Sequence, residues 1–132
     1  DLLVGSRWVR SGSYGGDVSL VRRTAMKVLA RLASSATGVP ITDPTSGFRV
    51  FSRRFAAVAS DHLGDHYLSD TFELLVRAGR AGYRAGEAPV KMSGRATGEP
   101  SVRGLRLLLL TGRTVMVSVL RLTPPLPGPK ER

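Results

Sequence analysis

The tightest constraint on this chain is the order in which short apolar runs and helical stretches follow one another. Leu2-Leu3-Val4 is a continuous apolar run closed by Gly5-Ser6, the pattern of a short strand buried on both faces. After a loop rich in Ser and Gly at 11–17, the residues Val21, Ala25, Val28, Leu29 and Leu32 recur at helical spacing across 18–36. Arg22, Arg23, Lys27 and Arg31 decorate the other side of that helix, Gly38 stops it, and Pro40 follows as a breaker. In 132 residues, 42% of them hydrophobic, this order leaves room for one core and not for two ordinary domains.

The remaining elements follow from the same signals. Asp43-Pro44-Thr45-Ser46-Gly47 is a turn: Asp caps backbone amides, Pro fixes φ and Gly gives a permissive exit. Phe48-Arg49-Val50-Phe51 alternates as a short strand, and Ser52 caps a helix running to about His62. Asp70-Thr71-Phe72-Glu73 has capping-box spacing and opens a helix ending near 79–82. Residues 83–92 are extended, with Pro89 indicating an edge or a bulge. A polar loop at 94–101 leads into a long amphipathic helix at 102–122. The tail from Pro124 to Pro129 is too rich in proline for a helix and is expected to be disordered. The fold class is α/β or α+β, with too few strands for a free-standing doubly wound domain.

Twenty Lys and Arg face ten Asp and Glu, a formal net charge of +10, which calls for an anionic partner: nucleic acid, an acidic membrane face or phosphate-bearing substrates. The absence of cysteine excludes a disulfide scaffold, a thiolate zinc finger and a cysteine nucleophile. The apolar tract 105–122 is interrupted by Arg106, Arg113 and Arg121 and fails as a spanning helix. It reads either as a core helix with a solvated side or as a helix lying in a membrane interface, Arg near anionic headgroups. The chain opens without Met or a basic leader and is expected to be a segment of something longer.

Most of the chemistry-bearing residues have a bland explanation beside the functional one. His62 and His66, with Asp61 and Asp65, are read as a solvated loop, because Gly64 weakens the helix that would converge them on a metal. The glycines at 12, 15 and 16 form neither a dinucleotide fingerprint nor a P-loop. Asp70 and Glu73 serve as helix caps or as an acid/base pair. Arg49, after a turn of small hydroxyl residues, is either a fork for phosphate oxygens or a surface decoration.

Taken in order, these residues resemble the second half of a family 2 glycosyltransferase. The resemblance rests on Asp1-Leu2-Leu3-Val4-Gly5-Ser6-Arg7, Arg22-Arg23, Asp43-Pro44-Thr45-Ser46-Gly47-Phe48-Arg49 and Glu73-Leu74-Leu75-Val76-Arg77-Ala78. It continues through Gly82-Tyr83-Arg84, Glu87-Ala88-Pro89-Val90 and Arg95-Ala96-Thr97-Gly98-Glu99-Pro100-Ser101, and is closest in pattern to polyprenyl-phosphate and dolichol-phosphate sugar synthases. It implies an α/β sandwich whose acceptor-side half occupies 1–100, an amphipathic helix at the membrane interface over 101–122, and a Pro-rich tail over 123–132. It also implies a nucleotide-sugar donor, a lipid-phosphate or other acceptor, and a peripheral position at the cytoplasmic face of the plasma membrane.

By the same resemblance Arg7, Arg22, Arg95 and Ser101 hold donor or acceptor phosphates, Thr45, Ser46 and Arg49 line the centre of the site, and Asp70 and Glu73 are the acidic pair. A divalent metal, Mg or Mn, bridges the diphosphate in the intact enzyme. The family's metal-binding D-x-D is absent from this sequence and is expected upstream, so the chain alone is expected to bind no metal and to be inactive. Met26 stands where such synthases often carry a serine, and Val102 where a lysine is common. Two other functions compete: a small basic nucleic-acid-binding module, against which stands the lack of a recognition helix or stacking aromatics, and a non-catalytic membrane-binding remnant. No specific nucleic acid is expected as partner.

Overall fold

The computed structural model describes residues 1–8, 20–61, 69–91, 104–120, 122 and 124–129. Among them lie three strands, β1 (Leu2–Ser6), β2 (Arg49–Phe51) and β3 (Ala85–Pro89), and four helices, α1 (Leu20–Thr37), α2 (Arg53–Ser60), α3 (Ser69–Arg80) and α4 (Gly104–Val119). The architecture is mixed α/β. The strands form one sheet of order β2-β1-β3, with β1 antiparallel to β2 and parallel to β3. Pro89, which has no amide hydrogen to give to a ladder, ends the edge strand β3, as its chemistry requires.

The helix boundaries follow local chemistry. Gly38 ends α1 in the left-handed region at φ 71°, its N–H reaching the Ser34 carbonyl. Ser52 caps α2 by accepting from the Phe55 amide. The helix α3 begins at Ser69, so Asp70 lies within its first turn and not at the N-cap position that the capping-box spacing expects. At Gly79, α3 crosses α1 so closely that an added Cβ would lie 2.5 Å from the Ala36 carbonyl oxygen.

Register decides what each strand buries. Leu2 and Val4 of β1 join Leu29 and Ala33 of α1, Phe55 of α2, and Phe72, Leu75 and Val76 of α3 in one core. Leu3 alternates onto the opposite sheet face and is 41% exposed, beside its exposed cross-strand partner Val50. The expectation of a strand buried on both faces is therefore corrected: the helices cover one face of this three-stranded sheet.

The Pro-rich tail is also corrected over its described part. Leu126 is buried in the core, and the Tyr83 hydroxyl donates to the Pro127 carbonyl at 2.9 Å. Tyr83 in turn packs edge-on against Phe55, with ring centroids 4.9 Å apart. Proline rules out a helix here, but it does not prevent an extended segment from docking through one leucine.

Candidate functional site

Of the expected site residues, Thr45 and Ser46 lie on the segment 42–47, which lies against the carboxyl end of β1 and is held by three charged side chains, Arg7, Arg49 and Glu87. Asp43 is fully buried, and its carboxylate accepts from Arg7 Nε at 2.7 Å and Nη2 at 3.0 Å, a side-on bidentate pair. The Arg7 side chain remains 37% exposed and lies over the Trp8 ring at 5.0 Å. The Asp43 side chain therefore does not cap the turn as expected; its backbone carbonyl accepts from the Ser46 amide instead.

Arg49 enters from β2 and turns its guanidinium inward. Nε donates to the Ser46 carbonyl at 3.0 Å, Nη2 to the Pro44 carbonyl at 2.8 Å, and Nη1 to the Thr71 carbonyl in the first turn of α3. Burial pushes its pKa down to about 10 against the attraction of Asp43, which leaves it a cation at neutral pH. One side chain thus ties the 42–47 segment to the helix that carries Asp70 and Glu73.

Glu87 is the third of these side chains. On β3 it stands opposite Val4, on the sheet face turned to the core. Its carboxylate accepts from the Thr42 amide and hydroxyl, each at 2.9 Å, and from the Asp43 amide at 2.7 Å. Sequence reasoning gave no role to Glu87 and only a capping role to Asp43. The available signal was an acid at an inward-facing strand position, and it becomes readable only once the β1–β3 register is known.

Thr45 and Ser46 face protein. The Thr45 hydroxyl donates to the Met26 sulfur on α1 at 3.7 Å. Ser46 is buried, and its hydroxyl accepts from the Phe48 amide at 3.3 Å. Glu73 is half-buried on α3. The structure therefore brings Arg7, Thr45, Ser46 and Arg49 together and links them to the start of α3. The side chains of Arg22 and Asp70, and all of Arg95 and Ser101, lie outside the described residues, as do His62, Asp65 and His66.

The electrostatics of this cluster are balanced. Arg7 and Arg49 carry two positive charges, and Asp43 and Glu87 two negative ones. A divalent cation of the kind the resemblance implies needs oxygen ligands with lone pairs to spare. Asp43 is engaged by Arg7, and Glu87 by a hydroxyl and two amides, so these residues do not fit a metal. No group of three metal-ligating side chains occurs among the described residues.

Comparison of the sequence with known proteins finds a relative among the glycosyltransferases. The chain is 31% identical to the glycosyltransferase AglD of Haloferax volcanii over 93% of its own length. It spans 19% of the length of that relative. No family model matches, and no solved structure matches significantly. The chain is thus related to a glycosyltransferase.

Proposed function

We propose that this chain supplies the acceptor-side portion of a family 2 glycosyltransferase site, which moves a sugar from a nucleotide-sugar donor to a lipid-phosphate acceptor at the cytoplasmic face of a membrane. The observation that carries the reading is the 31% identity to a glycosyltransferase across 93% of the chain. The geometry supports a division of labour within it. Arg7, partly exposed and held side-on by a buried carboxylate, is the cation that meets phosphate oxygens. Arg49, inward-facing and bonded to three carbonyls, holds the 42–47 segment against α3.

A lipid phosphate is already ionised and needs no strong base to attack the sugar, so Asp70 and Glu73 are then helix-terminal acids; a hydroxyl acceptor would need one of them as base. The sequence has no D-x-D, so on this reading the 132 residues alone do not transfer sugar. Two measurements test the proposal. A sugar-transfer assay with the chain and Mg or Mn is expected to show no turnover, and clear turnover sinks that part. The chain is expected to bind a detergent-dispersed polyprenyl phosphate more tightly than the matching alcohol, with Arg7→Gln reducing the preference about tenfold, the loss of one charge-assisted hydrogen-bonded contact. Equal affinity for phosphate and alcohol rejects the acceptor assignment.

A further inference from the structure

The segment 124–129 is built as a ligand is, although it belongs to the chain. Leu126 alone is buried within it, and Pro124, Pro125, Pro127 and Gly128 around it are exposed. Its prolines fix φ and carry no N–H, so the backbone asks for few partners and loses little freedom on docking. Its seat is the corner between α3 and β3. The Leu126 side chain enters the core, the Tyr83 hydroxyl donates to the Pro127 carbonyl at 2.9 Å, and Gly128 and Pro129 lie beside Ala81 and Gly82. The Tyr83 ring is itself held edge-on by Phe55, so packing within the body aims that hydroxyl.

What the seated segment constrains is α4. The Leu122 amide closes the end of that helix on the Val117 carbonyl at 3.1 Å, and Leu126 follows four residues later. Four residues span at most about 14 Å, so a seated Leu126 keeps the end of α4 near the α3–β3 corner. The packing of α4 benefits from such a tie. The helix touches α3 and α1, and its Val115 packs against the core. Thr114 and Ser118 are buried on the same helix, and the Ser118 hydroxyl has no hydrogen-bond partner. An orphaned hydroxyl opposes burial, because water satisfies it whenever the helix lifts away.

We propose that the α3–β3 corner is a binding seat for a Pro-Leu-Pro segment, and that 124–129, seated there in cis, latches α4 onto the body. Release of Leu126 frees α4 as one unit, while α1, α3 and the sheet stay folded. The seat takes a segment of this chemistry from any source. The tether makes the chain's own segment the resident one, by raising its local concentration. No residue of the seat or of the segment takes part in the sugar transfer proposed above, and none of the measurements below uses it.

The test is amide hydrogen exchange, read segment by segment on the full 132-residue chain. Tyr83→Phe keeps the ring and removes only the hydroxyl. It should speed exchange across 104–119 about fivefold and leave α1 unchanged. Leu126→Ala should speed exchange in α4 at least about tenfold more than in α1 and α3. The peptide Pro-Pro-Leu-Pro-Gly-Pro, added to Leu126→Ala at about 10 mM, should restore most of the protection lost in α4. The same peptide with alanine in place of leucine should restore none. Equal acceleration in all helices overturns the inference, because Leu126 is then an ordinary core residue. So does unaltered protection of α4 in Tyr83→Phe, which decides alone where Leu126→Ala does not fold, or a failure of the leucine peptide to rescue.

Discussion

Asp43 is a carboxylate that water cannot reach, placed between two arginines, one of them bonded to it at 2.7 Å. Removing one partner of such a pair costs more than the pair contributed, because the other charge stays behind without compensation. Asp43→Asn is therefore expected to lower the free energy of unfolding by about 3 kcal/mol in urea titration. Glu87→Gln keeps the shape of the side chain but offers one accepting oxygen to the three donors that Glu87 now serves. Its expected cost is smaller, about 1–2 kcal/mol by the same measurement. If Asp43→Asn proves the milder of the two, the segment 42–47 is held chiefly from the strand side. Neither role was legible in the residue itself. Arg49 in sequence offers both a phosphate fork and a surface cation, and only the carbonyls of nearby Pro44 and Ser46 and of distant Thr71 direct it inward.

At the scale of elements, local signals carried most of the way. The periodicity of 18–36 corresponds to α1, Ser52 to the cap of α2, Gly38 to the end of α1 and Pro89 to an edge strand, because each depends on neighbours a few residues away. Features set by distant pairing were not legible. The strand order β2-β1-β3 leaves Leu3 exposed, and α4 packs on α3 with Thr114 and Ser118 buried. The crossing of α1 and α3 at Gly79 belongs to the same group. By helix propensity alone, Gly79→Ala should stabilise by about 1 kcal/mol. The Cβ would instead meet backbone atoms of Ala36 and Thr37 at 2.5–2.8 Å, and backbone does not yield as a side-chain tip does. We expect a net loss of about 2 kcal/mol in thermal or urea unfolding, and a stabilised variant would show that the two helices can separate freely.

For the whole molecule, the sequence pointed to a single core of mixed class, and the structure has one. What it withheld was closure. The segment 124–129 returns to the core through Leu126 and is fixed by the bond from Tyr83 to Pro127. Composition could not show this, because a proline-rich tail looks the same whether loose or docked until its one apolar residue is given a pocket. Leu126→Ala is expected to cost about 2–3 kcal/mol, lower the melting temperature and speed protease cleavage within the tail. An unaltered melting curve would mean that the segment contributes nothing to the core. The docked tail also sets geography for anyone attaching a dye or an affinity handle. Gly128 and Pro129 lie beside Ala81 and Gly82 at the corner between α3 and β3, so a label placed after them starts its tether from that corner and reports on it.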